Sequence, residues 1–483
     1  MHRSIIGSLA VAVITGAAAS FLCMAACTDG IRGPLPSGPS GSGGKGGGGG
    51  HPSIGGAGGE VASGTGGAAG APDPFPLWLG DDSIWRSGLE SPFDTSGCRI
   101  LEADPAELPV QALQWANCGS GCERADTSQG FGSGLNPRLS TMFAEGEERA
   151  VLTTSYSFLY DSKTLGESAR GLRRIIDLGT GKTVAALQRI REPLMQPCSY
   201  RVYSFDNAFH VMMSTETDER ELKIVKGTWE ISYGRWLWQK PPRLADARDK
   251  YCSTLEFRNG GRTFFLCPQT ISASLVPGSS DVSLLDDVED GYMVESGAED
   301  ADLAIWAERK SFENGSRIRA WAPDGRGLRT VISDLPWRTW AVGLDRARIV
   351  GAARGVDGLP GAIAVWFAPR VLEKEPKVTL GPVMAGLVGL PQKIKSADDF
   401  ISVEVFNGNE SGPRDTSLIL IRTSDWSKRW FGSVGEQLPI DHTLTSEYLY
   451  VTYSGWGANW GKDANSVYRY DLSKFDSIGV PFN

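Results

Sequence analysis

By residue type and spacing, the groups best placed to do chemistry lie in Ser454-Gly-Trp-Gly-Ala-Asn-Trp-Gly-Lys-Asp463. Trp456 and Trp460 are flanked by glycine, so an indole face is open to stack on a sugar ring, with Asn459 and Asp463 near enough to hydrogen-bond its hydroxyls. The bland expectation is that both rings fold back into the core, as most of the 15 tryptophans must. The Trp229, Trp236, Trp238 group and the Trp337, Trp340 pair are read as core in the same way. Acid–base chemistry has less to work with. Beyond residue 72 the histidines are His210 and His442, so a three-histidine zinc site cannot be built, and no Gly-x-Ser-x-Gly occurs. Asp441-His442 reads as a solvated turn. Asp286, Asp287, Glu289 and Asp290 lack the alternation of a calcium loop and read as a solvated acidic loop. No catalytic residue, metal ligand or cofactor is assigned. A pair of carboxylates for cleaving polysaccharide would come from separate parts of the chain, where a linear search does not find it.

Several elements must position these groups. Short strand-like runs followed by a turn start at Leu172, Glu221, Arg317, Ala362, Ser417 and Ser466. About 15 to 20 residues upstream of most of them stands another run: Arg149–Tyr156, Asp302–Ala307, Arg348–Ala352, Phe400–Phe406 and Glu447–Tyr453. Strand, loop, strand and turn repeating about every 45 to 50 residues is how a four-stranded blade reads. The chain from about 141 to 483 therefore resembles the β-propeller class, of the loose kind without the Gly-His to Trp-Asp signature. The resemblance implies an all-β ring in which each blade hides its faces against its neighbours, with six to eight blades fitting and seven expected. A pair of two-sheet sandwiches is the alternative. Residues 73–140 either complete the first or last blade or form a small disulfide-stapled cap.

The chain has eight cysteines. An even set in an exported domain, Cys98, Cys118, Cys122, Cys198, Cys252 and Cys267, reads as three disulfides. Asn259-Gly260 as a two-residue turn sets Cys252 opposite Cys267; the other four leave three connectivities open. Cys118-Gly-Ser-Gly-Cys122 reads as a structural bridge rather than a zinc or redox pair.

Export itself is read from the start of the chain. Ile5 to Leu22 is apolar and rich in small residues, and Met24-Ala25-Ala26-Cys27 resembles a bacterial lipobox, with Met24 where that pattern usually has leucine. The resemblance implies a signal peptide over 1–26, a lipid on Cys27 and a membrane partner through it. The glycine-dominated stretch 27–72 carries too little apolar surface to fold and is expected to be a disordered tether spanning roughly 35–40 Å. The formal net charge is −9, which argues against nucleic acid as a partner. The expectation is a monomeric module at the bacterial cell envelope or secreted, binding a glycan, a peptide or an envelope protein. A glycosidase or lyase on the same scaffold is the alternative.

Overall fold

The computed structural model describes residues 83–89, 98–127, 135–144, 147–159, 169–191, 199–205, 208–214, 219–225, 231–238, 255–259, 262–266, 270–274, 282–287, 292–299, 303–310, 315–322, 327–359, 361–372, 374–384, 387, 389–406, 416–432, 437–455 and 466–482. They form an all-β structure of seven antiparallel sheets, with two short 3-10 helices, Val356–Gly358 and Leu472–Ser477. Among the described residues no helix is long and apolar enough to cross a membrane.

In spatial order the first sheet runs Leu135–Ala144, Glu147–Leu159, Ala169–Asp177, Thr183–Arg191, Cys98–Ala103, Trp85–Leu89. The second is Ser199–Phe205, Ala208–Ser214, Glu219–Val225, Ile231–Trp238, and the third Leu255–Asn259, Arg262–Leu266, Thr270–Ser274, Val282–Asp287. The fourth is Tyr292–Glu299, Ala304–Lys310, Ser316–Ala322, Gly327–Leu335, and the fifth Arg338–Leu344, Arg348–Arg354, Ile363–Pro369, Thr379–Leu380. The sixth adds Val480–Pro481 beyond Leu390–Ala397, Phe400–Phe406, Thr416–Arg422 and Lys428–Phe431. The seventh joins both ends of the domain: Gln437–Leu444, Tyr448–Gly455 and Ser466–Asp471 are followed by Cys122–Asp126 and Trp115–Gly119.

The first strands of successive sheets lie side by side from the third sheet to the seventh, and the seventh sheet's Gln437–Leu444 then lies beside Leu135–Ala144 of the first. This is a propeller-like arrangement. Its physical cause is visible in the second and third strands, which read Ala304-Ile-Trp-Ala307, Ile349-Val-Gly-Ala-Ala353, Ile363-Ala-Val-Trp366 and Leu418-Ile-Leu-Ile421: apolar at every position and buried on both faces. Such strands are stable only when both faces are covered by other sheets. The covering cores are continuous from sheet to sheet. One joins the fourth and fifth sheets through Ile305, Ile318, Ile349 and Trp366, and another joins the fifth and sixth through Val350, Val365, Ile401 and Ile419.

Two sequence expectations change here. Asn259 pairs with Arg262 across the hairpin, so the register of these two strands centres one residue later than a turn at Asn259-Gly260 requires. Cys252 and Cys267 lie outside the described residues, as do Cys27 and the whole tether. Asp286 and Asp287 end the Val282–Asp287 strand rather than standing in a loop, because they continue the pairing with Ile271 and Thr270. Cys118 and Cys122 are bonded to each other, with a Cα separation of 5.2 Å, across the Trp115–Gly119 and Cys122–Asp126 hairpin.

Candidate functional site

In the first sheet and in the fourth to seventh, the first strand carries a β-bulge near its start, and these bulges supply a common frame. The extra residues are Glu295, Trp340, Gln392 and Ile440 in the fourth to seventh sheets, with a two-residue irregularity before Arg138 in the first. Bulges re-aim side chains and tighten the twist where strands converge. The pair just after the bulge, first strand to second, is Ser296 and Ala307, then Ala341 and Ala352, then Lys393 and Glu404, then Asp441 and Thr452, and Arg138 with Thr153 in the first sheet. Positions that are small and uncharged in the fourth and fifth sheets are thus charged in the sixth, seventh and first, which are consecutive around the ring.

These charges meet. The Lys393 ammonium forms an ion pair with Asp441 across two sheets. Asp441 Oδ2 accepts from the backbone N–H of Leu139 in the first sheet at 2.7 Å, and Oδ1 accepts from its neighbour His442 N–H at 2.9 Å. Burial would push the Asp441 carboxyl up, but Lys393, Arg138 and these hydrogen bonds outweigh it and hold it below its ordinary value. The carboxylate is fully committed: it ties the sixth, seventh and first sheets together.

The next position along the seventh sheet is His442. In the fifth and sixth sheets the same place is Val342 and Ile394, both buried apolar contacts between sheets. His442 is 1 % exposed with Nδ1 3.5 Å from Glu404 Oε2. Burial, and then Lys393, keep the imidazole well below its ordinary pKa, while burial raises the Glu404 carboxyl to about 7 against the pull of Lys393. At pH 7 the imidazole is therefore neutral and the carboxyl about half protonated. Asp441-His442 is not the solvated turn expected from sequence, because it lies in the strand Gln437–Leu444 with both residues buried. Ser402, on the same strand as Glu404, is fully buried, and among the described residues neither its Oγ nor His442 Nε2 has a hydrogen-bond partner. The serine is not engaged by the histidine as a nucleophile's base would engage it.

A second cluster lies at the end of the sheets where second strands pass to third strands. Trp340, the bulged residue of the fifth sheet, has Arg309 of the fourth sheet 5.5 Å and Arg338 5.9 Å from its ring centroid. Arg309 also pairs with Glu295, the bulged residue of the fourth sheet. Arg338 stands directly opposite Arg354 on the neighbouring strand. Burial and the nearby Arg338 lower the pKa of Arg309. Trp340 is half-buried rather than core, since its place on a bulge leaves it against guanidinium groups instead of aliphatic side chains. Gly455, from which residues 456–465 depart, belongs to the same end of its sheet as Arg354 does of its own. Trp456, Asn459, Trp460 and Asp463 themselves lie outside the described residues, as do Trp229, Glu289 and Asp290. Sequence reasoning missed Arg309, Arg338 and Arg354 because they come together only through register and sheet stacking. Among the described residues no group of three His, Cys, Asp or Glu side chains is arranged to hold a metal ion.

No family model matches the chain, and no curated protein matches it in sequence. Solved structures show distant likenesses. A sialidase, NanB of Streptococcus pneumoniae, is 11% identical over 76% of this chain and 71% of its own, with a TM-score of 0.33. An oligogalacturonate lyase in complex with manganese is 9% identical over 70% of this chain and 98% of its own, at 0.38. A puromycin-hydrolysing peptidase of Mycobacterium tuberculosis is 13% identical over 72% of this chain and 53% of its own, at 0.37. At TM-scores this low, the likenesses carry no statement about activity.

Proposed function

We propose that the chain is a seven-bladed β-propeller held at a bacterial cell envelope through a lipid on Cys27, and that it acts as a binding module for a carbohydrate ligand. Seven successive sheets, with a seventh built from both ends of the domain, support the ring. The observation that carries the binding role is the grouping of Trp340 with Arg309, Arg338 and Arg354 at the loop-bearing end of the sheets. Indole and guanidinium groups recognise ligands by donation and by contact with flat surfaces, without needing to move a proton. The enzyme alternative would recruit Glu404 as a protonated carboxyl beside Asp441. It is disfavoured because both Asp441 oxygens already accept hydrogen bonds that join the sheets.

A glycan-array screen of the purified full-length protein tests the reading, with Trp340→Ala and the Trp456→Ala, Trp460→Ala double variant alongside. Binding by the native protein that falls at least tenfold in Trp340→Ala is the expected result. Retention of full binding in that variant would move the site elsewhere, and chain cleavage of any arrayed polysaccharide would favour the enzyme.

A further inference from the structure

The fifth sheet is unusual at one place. Its first and second strands face each other with Arg338 and Arg354, where the fourth sheet has Met293 and Arg309, the sixth Leu390 and Phe406, and the seventh Leu438 and Ser454. Like charges directly opposite on neighbouring strands repel and destabilise the sheet. Arg309 joins Arg338 against the Trp340 indole, and the carboxylate that meets this group is Glu295, already paired with Arg309. Among the described residues neither Arg338 nor Arg354 has a carboxylate within ion-pair distance.

The donors here also lack acceptors. Nε of Arg338 and Nε1 of Trp340 are both shielded from solvent without a hydrogen-bond partner among the described residues. A buried unpaired donor costs about 1–3 kcal/mol, and more when charged. Packing alone gives no reason to gather such groups, since the equivalent positions of the sixth sheet are apolar. The geometry does give one. Arg309 and Arg338 both contact the Trp340 ring, which restrains the planar guanidinium groups, and the N–H groups of a guanidinium point outward in its own plane. What remains to be satisfied is an anion with at least two acceptor oxygens.

We infer that Arg338, Arg354 and the indole N–H of Trp340 form a seat for a carboxylate carried on a sugar, so that the binding module proposed above takes an acidic saccharide. The inference rests on that binding role and narrows it. A carboxylate offers two oxygens in one plane and matches the guanidinium fork in a bidentate pair. The overall charge of −9 does not oppose this, because at physiological salt a charge is screened beyond about 8 Å and the local excess of arginine dominates. Trp340 acts mainly as a positioning residue that restrains the guanidiniums. In its place, phenylalanine keeps a ring to contact but removes the N–H.

The test is calorimetric titration of the full-length protein in detergent with an alginate-derived hexauronate, its methyl ester and neutral maltohexaose. The hexauronate is expected to bind at least tenfold more tightly than either neutral oligomer, with affinity falling steeply as salt is raised. Arg338→Gln and Arg354→Gln should each weaken it tenfold or more while leaving thermal unfolding unchanged or raised, since neither strands a carboxylate partner. Trp340→Phe should lose less than Trp340→Ala. If the methyl ester binds as well as the acid, or both arginine variants bind normally, the acidic class is overturned while the saccharide-binding role stands. If none of the three oligomers binds and the glycan array is also blank, both fall together.

Discussion

Glu404 and His442 are the residues whose chemistry departs furthest from what their neighbours in sequence suggest. Glu404 occupies a place that is alanine in the fourth and fifth sheets, and His442 one that is valine in the fifth and isoleucine in the sixth, so two titrating groups sit in a contact built for apolar ones. The sign of the effect on stability follows. Glu404, raised by burial from 4.5 to about 7, favours the folded state while protonated. Its contribution is complete below about pH 4.5 and is lost as pH rises through 7. His442, lowered by burial, works oppositely: its contribution is present above its ordinary pKa of 6.5 and is lost as pH falls below it. Lys393, Lys395, Asp441 and Arg138 bear on the pair electrostatically; above pH 6.5 the slope comes from Glu404 together with Glu148, whose carboxyl burial also raises to about 7. Urea unfolding at stepped pH should show wild-type stability declining from pH 6.5 to 8. Glu404→Gln should make that decline shallower, leaving the part due to Glu148, and be more stable at pH 8 by about 1–3 kcal/mol. A flat wild-type profile would mean the carboxyl is ionised throughout. None of this was legible in the sequence, where Asp441-His442 looks like a polar dipeptide. Its burial depends on Glu404 and Lys393, some forty to fifty positions away.

At the scale of elements, the strands found from sequence are the second and third of their sheets, and for a physical reason. They are covered on both faces and read as largely apolar runs, such as Ile349-Val-Gly-Ala-Ala353 and Leu418-Ile-Leu-Ile421. The first strands of the first sheet and of the fourth to seventh went unread because a bulge in each of these breaks the alternation that marks a strand. Arg338-Thr-Trp-Ala-Val-Gly-Leu344 changes phase at Trp340, and Gln437-Leu-Pro-Ile-Asp-His-Thr-Leu444 at Ile440. The candidate site was hidden with them. Close packing between second and third strands also rests on one small residue. Gly351 faces Trp366 directly, and a β-carbon built there would lie 2.3 Å from the indole. Trp366 is fully buried, so the ring has no room to retreat. Gly351→Ala should lower stability by about 1–3 kcal/mol through overpacking, measured by thermal unfolding. Wild-type stability in the variant would show that the strand can shift to accept a methyl group.

For the whole molecule, closure is the property on which the site depends, since the first strands must converge for their bulges to share one end. The seventh sheet supplies it by pairing Ser466–Asp471 with Cys122–Asp126. Arg469 meets Glu123 at 2.5 Å, Arg124 donates to Ser466 at 2.9 Å, and Leu472, Phe475 and Ile478 pack into the same core as the sixth and seventh sheets. Glu148 of the first sheet accepts from the Ser446 backbone of the seventh at 2.8 Å, which closes the opposite end. Burial lifts that carboxyl to about 7, and Asp398 and Asp345, in turns of the sixth and fifth sheets, raise it further. Repetition was legible in the sequence; the splitting of the seventh sheet between chain ends was not, because Cys122–Asp126 is short and half polar and finds its partner more than three hundred residues away. Native-state hydrogen exchange tests closure most directly. If the ring is shut, the amides of 122–126 that pair with 466–470 will exchange through the same opening, and with the same free energy, as those of the Tyr448–Gly455 strand. Exchange of 122–126 many orders of magnitude faster than that of 448–455 would mean that the seventh sheet is open and would contradict the closed ring.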